Sequence, residues 1–343
     1  MKRSIALILV LLLLLTGCGV PAAEVDTTQQ YTATFLTLFD TVTTIIGRAE
    51  SEEAFRDVSQ AIHDDLLRYH ELFDIYNDYE GVNNIKTIND HAGVEPVAVD
   101  QAIIDMLQDC KKYYDLSSGR VNVAMGSVLQ LWHEARNDGI NDPQNASLPD
   151  MEALREAAAH RDFDCVVIDE AAGTVYITDP AVRLDVGAIA KGWATQRAAD
   201  NAPSGMLLSV GGNVCATGPK LSDGTPWVIG IQDPDASDKN LHTVFVTQES
   251  VVTSGDYQRA YVVDGKAYHH IIDPDTLMPG AYWRSVSVIC SDSGLADALS
   301  TALFLMNREE GEALALSCGA EAFWVDAAGQ EFMTGGFEKM LRT

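Results

Sequence analysis

Apolar positions repeat along this chain with two different periods. From Tyr31 to Arg48 apolar and polar residues alternate, predicting one long strand or two short ones. From Ser51 to Tyr69 the period lengthens. Phe55, Val58, Ile62, Leu66 and Tyr69 fall three and four residues apart, the spacing of an amphipathic helix. Asp100 to Ser118 repeats it and stops at Gly119, a residue suited to the left-handed turn that ends a helix. Pro149-Asp150 opens a further helix to about His160. Cys165 to Asp169 and Thr174 to Thr178 predict a hairpin around Ala171-Ala172-Gly173.

From Met206 onward strands dominate: Met206 to Val210, Trp227 to Ile231, Leu241 to Thr247 and Tyr257 to Val263. Asp264-Gly265 follows the last of these as a hairpin turn. Arg284 to Cys290 predicts a strand, Gly294 to Asn307 a helix, and Phe323 to Met333 a closing hairpin. Helices and strands interleave without a βαβ rhythm and without repeats. The expectation is an α+β fold: a single large domain, residues 31–343, with a mixed, mainly antiparallel sheet and flanking helices.

The first residues break both patterns. Lys2 and Arg3 precede an unbroken apolar run of 11 residues, Ile5 to Leu15, and Leu15-Thr16-Gly17-Cys18 follows at once. Such a run fits a signal-peptide core and is well short of the ~20 residues a spanning helix needs. Small residues ahead of a cysteine resemble the bacterial lipoprotein cleavage box. Residues 1–17 are therefore expected to be a signal peptide, and Cys18 a lipid-carrying mature N-terminus. Residues 18–30 read as anchor and flexible tether, placing the protein outside the cytoplasm on the cell membrane.

Charge changes the range of partners. The 50 acidic against 23 basic residues give a net charge of −27. A surface this acidic repels phosphate backbones, so no nucleic acid is expected. A dinucleotide would be repelled too, unless a metal or local cations cancel the field. Six cysteines are present, and removing Cys18 leaves an odd, widely spaced set without a CxxC pair, which argues against a disulfide framework.

Four segments carry candidate chemistry. Leu184-Asp185-Val186-Gly187-Ala188-Ile189-Ala190-Lys191 runs from a short strand through a glycine turn into a helix, and such a turn can present backbone groups to a ligand. Ser209-Val210-Gly211-Gly212-Asn213 permits close backbone approach. Either could equally be an ordinary connection. Ser254 to Arg259 and His269-His270-Ile271-Ile272-Asp273-Pro274 flank one hairpin, whose base would bring them together. In Ala296 to Phe304, Asp297 and Thr301 lie four apart on one helix face among small and apolar neighbours. A carboxylate and a hydroxyl facing one buried spot suit a hard cation such as Mg²⁺, although an aspartate in a first helical turn is also favoured by the helix dipole.

Taken in order, these segments resemble the FAD:protein FMN transferase (ApbE) family, from about Phe39 to Phe304. The resemblance implies Mg²⁺-dependent transfer of FMN from FAD to a Ser or Thr hydroxyl of an acceptor protein, releasing AMP. It implies FAD contacts at Phe39, Tyr76, Asp185, Lys191 and Ile271, and at the loop Arg120, Val121 and Asn122. The metal would be held by the Ala188 carbonyl and the Asp297 and Thr301 side chains, with His270 as the base. Asn122 stands where aspartate is usual in that family, and Val121 where phenylalanine is usual. Acceptors would be flavin-carrying subunits of membrane redox pumps. Two alternatives share much of this pattern: a FAD pyrophosphatase giving FMN and AMP, and a lipid-anchored flavin- or solute-binding protein without turnover.

The anchoring expectation has a direct check. Mass spectrometry of the mature N-terminus should find a lipid-modified Cys18 and no residues 1–17. A retained Met1 or an unmodified Cys18 would contradict it.

Overall fold

The computed structural model describes residues 28–342, so Cys18, the signal segment and most of the expected tether lie outside the described residues. The elements, in chain order, are β1 (Gln29–Phe35), β2 (Thr43–Ala49), α1 (Glu52–Phe73), α2 (Ile85–Asp90), β3 (Val97–Ala98), α3 (Gln101–Leu116), α4 (Gly126–Asn141), α5 (Met151–Ala158), β4 (Val166–Asp169) and β5 (Thr174–Ile177). They continue with α6 (Ala190–Asn201), β6 (Leu207–Val210), β7 (Asn213–Ala216), β8 (Trp227–Asp233), β9 (Ala236–Val246), β10 (Ser250–Gly255), β11 (Tyr261–Val263) and β12 (Lys266–Tyr268). The last are β13 (Ser285–Cys290), α7 (Ser293–Phe304), α8 (Arg308–Ser317), β14 (Glu321–Val325), β15 (Glu331–Met333) and α9 (Gly335–Met340).

An eight-stranded sheet in the order β1-β2-β6-β7-β10-β13-β14-β15 forms the frame. All its ladders are antiparallel, and among the described residues the parallel contribution is an isolated bridge between Met125 and Arg183. The sheet is covered on both faces, which is why every residue of β13 is buried. Helices α1, α6 and α7 lie against one face and share the main core with Ile45, Leu208 and Val288. The β8–β9 hairpin and α9 close the other, around Trp227, Val246, Phe323 and Phe337. A smaller core of Met125, Trp132, Leu154 and Tyr261 joins α4 and α5 to the β11–β12 hairpin.

Local chemistry sets the helix starts. Ser51 accepts from the Ala54 N–H, Asp100 from Ala102, and Asp150 from Glu152 and Ala153, so each expected start carries a side-chain cap. Gly119 takes φ +81° just past α3, as a helix-ending turn requires. In the β11–β12 turn, Asp264 (φ +50°) and Gly265 (φ +80°) adopt the paired left-handed conformation of a two-residue hairpin.

Tyr31 to Arg48 forms two strands, the second of the two expected forms, separated by a turn in which Phe39 and Asp40 are left-handed. Two other expectations shift. Tyr257 to Tyr261 is not one strand with the residues that follow. The chain turns there with Arg259 at φ +46°, and pairing begins at Tyr261. Leu184 to Val186 joins no sheet ladder. It is held by the Asn89 amide, which donates to Leu184 O (2.9 Å) and accepts from Leu184 N–H (2.7 Å), and by Asp185 N–H to Val123 O (2.8 Å).

The crossing of α6 over α7 positions the site. Gly192 lies so close to α7 that an added Cβ would stand 2.3 Å from Ser293 O and 2.4 Å from Asp297 Cβ. Backbone cannot yield as a flexible side chain can. Gly192→Ala should therefore destabilise the protein by about 1–3 kcal/mol, the usual cost of overpacking. Urea denaturation would check this, and an unchanged midpoint would mean the helices can separate freely.

Candidate active site

A cavity of about 430 Å³ opens where the start of α6, the cavity side of α7, the base of the β11–β12 hairpin and the loops after β1, α1 and α3 converge. Phe39, Tyr76, Arg120, Val121, Asn122, Asp185, Ala188, Lys191, His270, Ile271, Asp297 and Thr301 all line it. Every candidate position within the described chain thus reaches one space, although they are drawn from segments up to 262 residues apart (301 − 39). Gly211, Asn213, Ser254, Gln258 and Arg259, from segments singled out in the sequence without a role, line it too.

The walls are built by buried polar anchors. Asp74, at the end of α1, accepts from the Tyr76 N–H (2.6 Å), the Asn77 N–H (3.1 Å) and side chain (2.9 Å), and the Tyr79 hydroxyl (2.7 Å). Burial alone would raise its pKa, but these bonds together hold the carboxyl below its usual range, so it stays ionised and fixes the turn carrying Tyr76. The Phe39 N–H donates to His70 Nδ1 (3.2 Å), tying the left-handed turn to α1. Asn122 uses its amide inside the loop, donating to Arg161 O (2.9 Å) and accepting from the Ala124 N–H (2.9 Å). Arg120 is paired to Asp275 (2.6 Å) and Asp273 (3.4 Å). The two remaining cavity cations are Lys191 and Arg259.

The two adjacent histidines separate. His269 is buried, donates from Nε2 to Gly280 O (2.9 Å), accepts the Ile271 N–H at Nδ1 (3.2 Å) and packs edge-on to Phe304. Both ring nitrogens are spent on structure. His270 lines the cavity, and its Nδ1 lies 3.2 Å from Gln258 O, at the hairpin base. A carbonyl can only accept, so Nδ1 carries the proton and Nε2 keeps a lone pair.

The comparisons with known proteins decide the family. The sequence model of the ApbE family matches residues 35–324. The chain belongs to the ApbE family. A Treponema pallidum (strain Nichols) protein named FAD:protein FMN transferase is 36% identical over 248 residues, covering 67% of each chain. A Klebsiella pneumoniae (strain 342) protein of the same name is 32% identical over 261 residues, covering 73% of this chain and 78% of that one. The crystal structure of an ApbE protein from Thermotoga maritima superposes with a TM-score of 0.80 at 31% identity, over 92% of this chain and all of that one. The Vibrio cholerae flavin transferase ApbE, at 23% identity and a TM-score of 0.74, has the same fold.

The residues around Asp297 meet the needs of a hard cation. Asp297 is buried, with the Gly192 N–H on Oδ2 at 2.8 Å and Lys191 Nζ at 3.9 Å. Burial raises its pKa even so, against Lys191, Gly192 and Asn213, a sign that the carboxylate lacks positive charge. Helix α6 begins at Ala190, so the Gly192 N–H is one of the first-turn donors with no partner inside the helix, and Asp297 accepts it. The Ala188 carbonyl, just before the helix, accepts no hydrogen bond within the described protein. Thr301 lines the same space one turn along α7. No group of three or more His, Cys, Asp or Glu side chains among the described residues could hold a metal. A carboxylate, a hydroxyl and an unpaired carbonyl, all oxygen donors, are what remains, and that set suits Mg²⁺.

His270 does not behave as a free imidazole: burial, then Arg259, Lys191 and His269, lower its pKa to about 3. In an unfolded chain it returns to about 6.5. Above that value neither state binds the proton. Below it the unfolded chain binds a proton that the folded protein refuses, so stability falls as pH drops from 6.5 towards 3. His270→Gln removes that contribution. Urea midpoints at about pH 7.5 and pH 5 should fall further for the wild type than for the variant. Equal falls would show that His270 protonates normally in the folded state.

Proposed function

We propose that this protein is an extracytoplasmic, lipid-anchored FAD:protein FMN transferase. It moves FMN from FAD to a Ser or Thr hydroxyl of an acceptor protein and releases AMP. The observation that carries this reading is the convergence of all the family-matched positions within the described chain on one cavity, the Asp297 carboxylate and the Ala188 carbonyl among them. The two-lobed solute-binding alternative has no support in a frame built on one continuous antiparallel sheet.

Lys191 and Arg259 give the diphosphate of FAD a cationic wall inside an otherwise acidic protein. Ala188, Asp297 and Thr301 would hold Mg²⁺, which supplies charge neutralisation for the bridging phosphates. The acceptor oxygen attacks the FMN-side phosphorus. A new phosphoester bond forms, the bond to the bridging oxygen breaks, and AMP departs with that oxygen. The hydroxyl proton passes to His270 Nε2.

His270 is a weak base in the free protein, first through burial and then through Arg259, Lys191 and His269. Bound diphosphate would offset Arg259 and Lys191, two of the groups that depress it. Basicity then rises when substrate is in place. A neutral imidazole in the free protein also avoids competing with the metal and the cations for space and charge. The Cys18 tether would keep the enzyme at the membrane face, near redox-pump subunits that serve as acceptors.

Two sets of variants test the assignment, with AMP release from FAD followed with and without acceptor. His270→Ala should slow acceptor-dependent release by ~10²-fold or more with little change in FAD affinity. His269→Ala should instead lower stability, because it removes two internal hydrogen bonds. Asp297→Ala should abolish Mg²⁺-dependent release and Thr301→Val should weaken it. Release that survives excess chelator and both substitutions would place the metal elsewhere. Release independent of acceptor would favour the pyrophosphatase.

A further inference from the structure

Three side chains on the cavity wall form a row whose middle member has no role in the account so far. Tyr76 stands on the turn after α1, His133 on α4 and Asp185 on the segment entering α6. Tyr76 Oη lies 3.0 Å from His133 Nδ1, and His133 Nε2 lies 4.0 Å from Asp185 Oδ2. The row therefore links three separate elements across the cavity. Its two ends are positions matched to FAD contacts, whereas His133 emerges only from the structure.

The proton positions follow from chemistry. His133 Nε2 stands 4.0 Å from Asp185 Oδ2, beyond hydrogen-bond reach, but the nearby negative charge favours the neutral ring form with its proton on Nε2. Nδ1 then offers a lone pair, and the Tyr76 hydroxyl donates to it. A phenol keeps its proton at neutral pH and so can serve as that donor. His133 stays neutral. Burial lowers its pKa and Arg136 and Arg259 add to this, while Asp185 opposes them. The bond matters because Tyr76 is otherwise loose: the residue is 60% exposed. An exposed ring free to rotate must be immobilised when a ligand binds, and that ordering weakens affinity.

We propose that His133 is a positioning residue for FAD binding: through the 3.0 Å contact at Nδ1 it captures the Tyr76 hydroxyl and sets the ring as a wall of the nucleotide site before FAD arrives. The inference rests on the reading of the cavity as a FAD site. It assigns His133 no part in the phosphoryl transfer, so its effect falls on KM and Kd rather than on kcat.

The test is equilibrium titration of the full chain with FAD, for the wild type, Tyr76→Phe, His133→Leu, the double variant and His133→Gln. Loss of one such hydrogen bond should weaken FAD binding about threefold to tenfold in each of the first two. The double variant should be no weaker than either single one, because both remove the same bond. His133→Gln should stay within about twofold of the wild type, since a side-chain amide oxygen can accept from the Tyr76 hydroxyl in place of Nδ1. His133→Phe replaces His133→Leu if the latter does not fold. Additive losses, or a His133→Gln variant as weak as His133→Leu, would overturn the inference while leaving the FAD site intact. A wild type that does not bind FAD would overturn the cavity reading and the inference with it.

Discussion

The site depends on one backbone hydrogen bond between two helices. The Gly192 N–H, one of the unpartnered donors in the first turn of α6, points to Asp297 Oδ2 at 2.8 Å. That bond anchors a buried carboxylate beside the start of α6. It requires α6 and α7 to approach more closely than any Cβ permits, which explains a glycine inside the first turn of α6. The rest of the frame serves this crossing. Both helices lie on the same face of the eight-stranded sheet, and the main core clamps them there.

Electrostatics gives the cavity its selectivity. The chain carries a net charge of −27, a poor setting for a dinucleotide. The cavity answers this locally. Arg120 is occupied by Asp273 and Asp275, and Lys191 and Arg259 are the cations left facing the space. Burial first, and then the same two cations, lower the basicity of His270.

How much of this was legible in the sequence follows from the kind of signal each part carries. Helices α1, α3 and α5 were readable because a capping side chain and a 3.6-residue period coincide. The Asp264-Gly265 turn was readable because few dipeptides suit two left-handed residues. Strand β10 was not, because a strand buried on both faces has no alternation to detect. Helix α4 was missed because no capping side chain marks its start and its buried face ends on Gly139 rather than a large apolar residue, and His133 went unseen with it. The candidate site was legible through motifs that stay contiguous in sequence: the turn before Lys191, the His270 segment and the Asp297–Thr301 face. What no motif shows is tertiary pairing. The Gly192–Asp297 bond between two helices and the low basicity of His270 both arise from residues brought close only by folding.

Transfer to a protein hydroxyl, rather than to water, is the central claim, and the fate of oxygen tests it most directly. The reaction can be run with FAD, Mg²⁺ and an acceptor protein in water enriched in heavy oxygen, and the products weighed by mass spectrometry. Attack by the acceptor hydroxyl should leave protein-linked FMN and AMP both free of the label. Heavy oxygen in the FMN phosphate, with the acceptor unmodified, would mean that water is the nucleophile and would contradict the account.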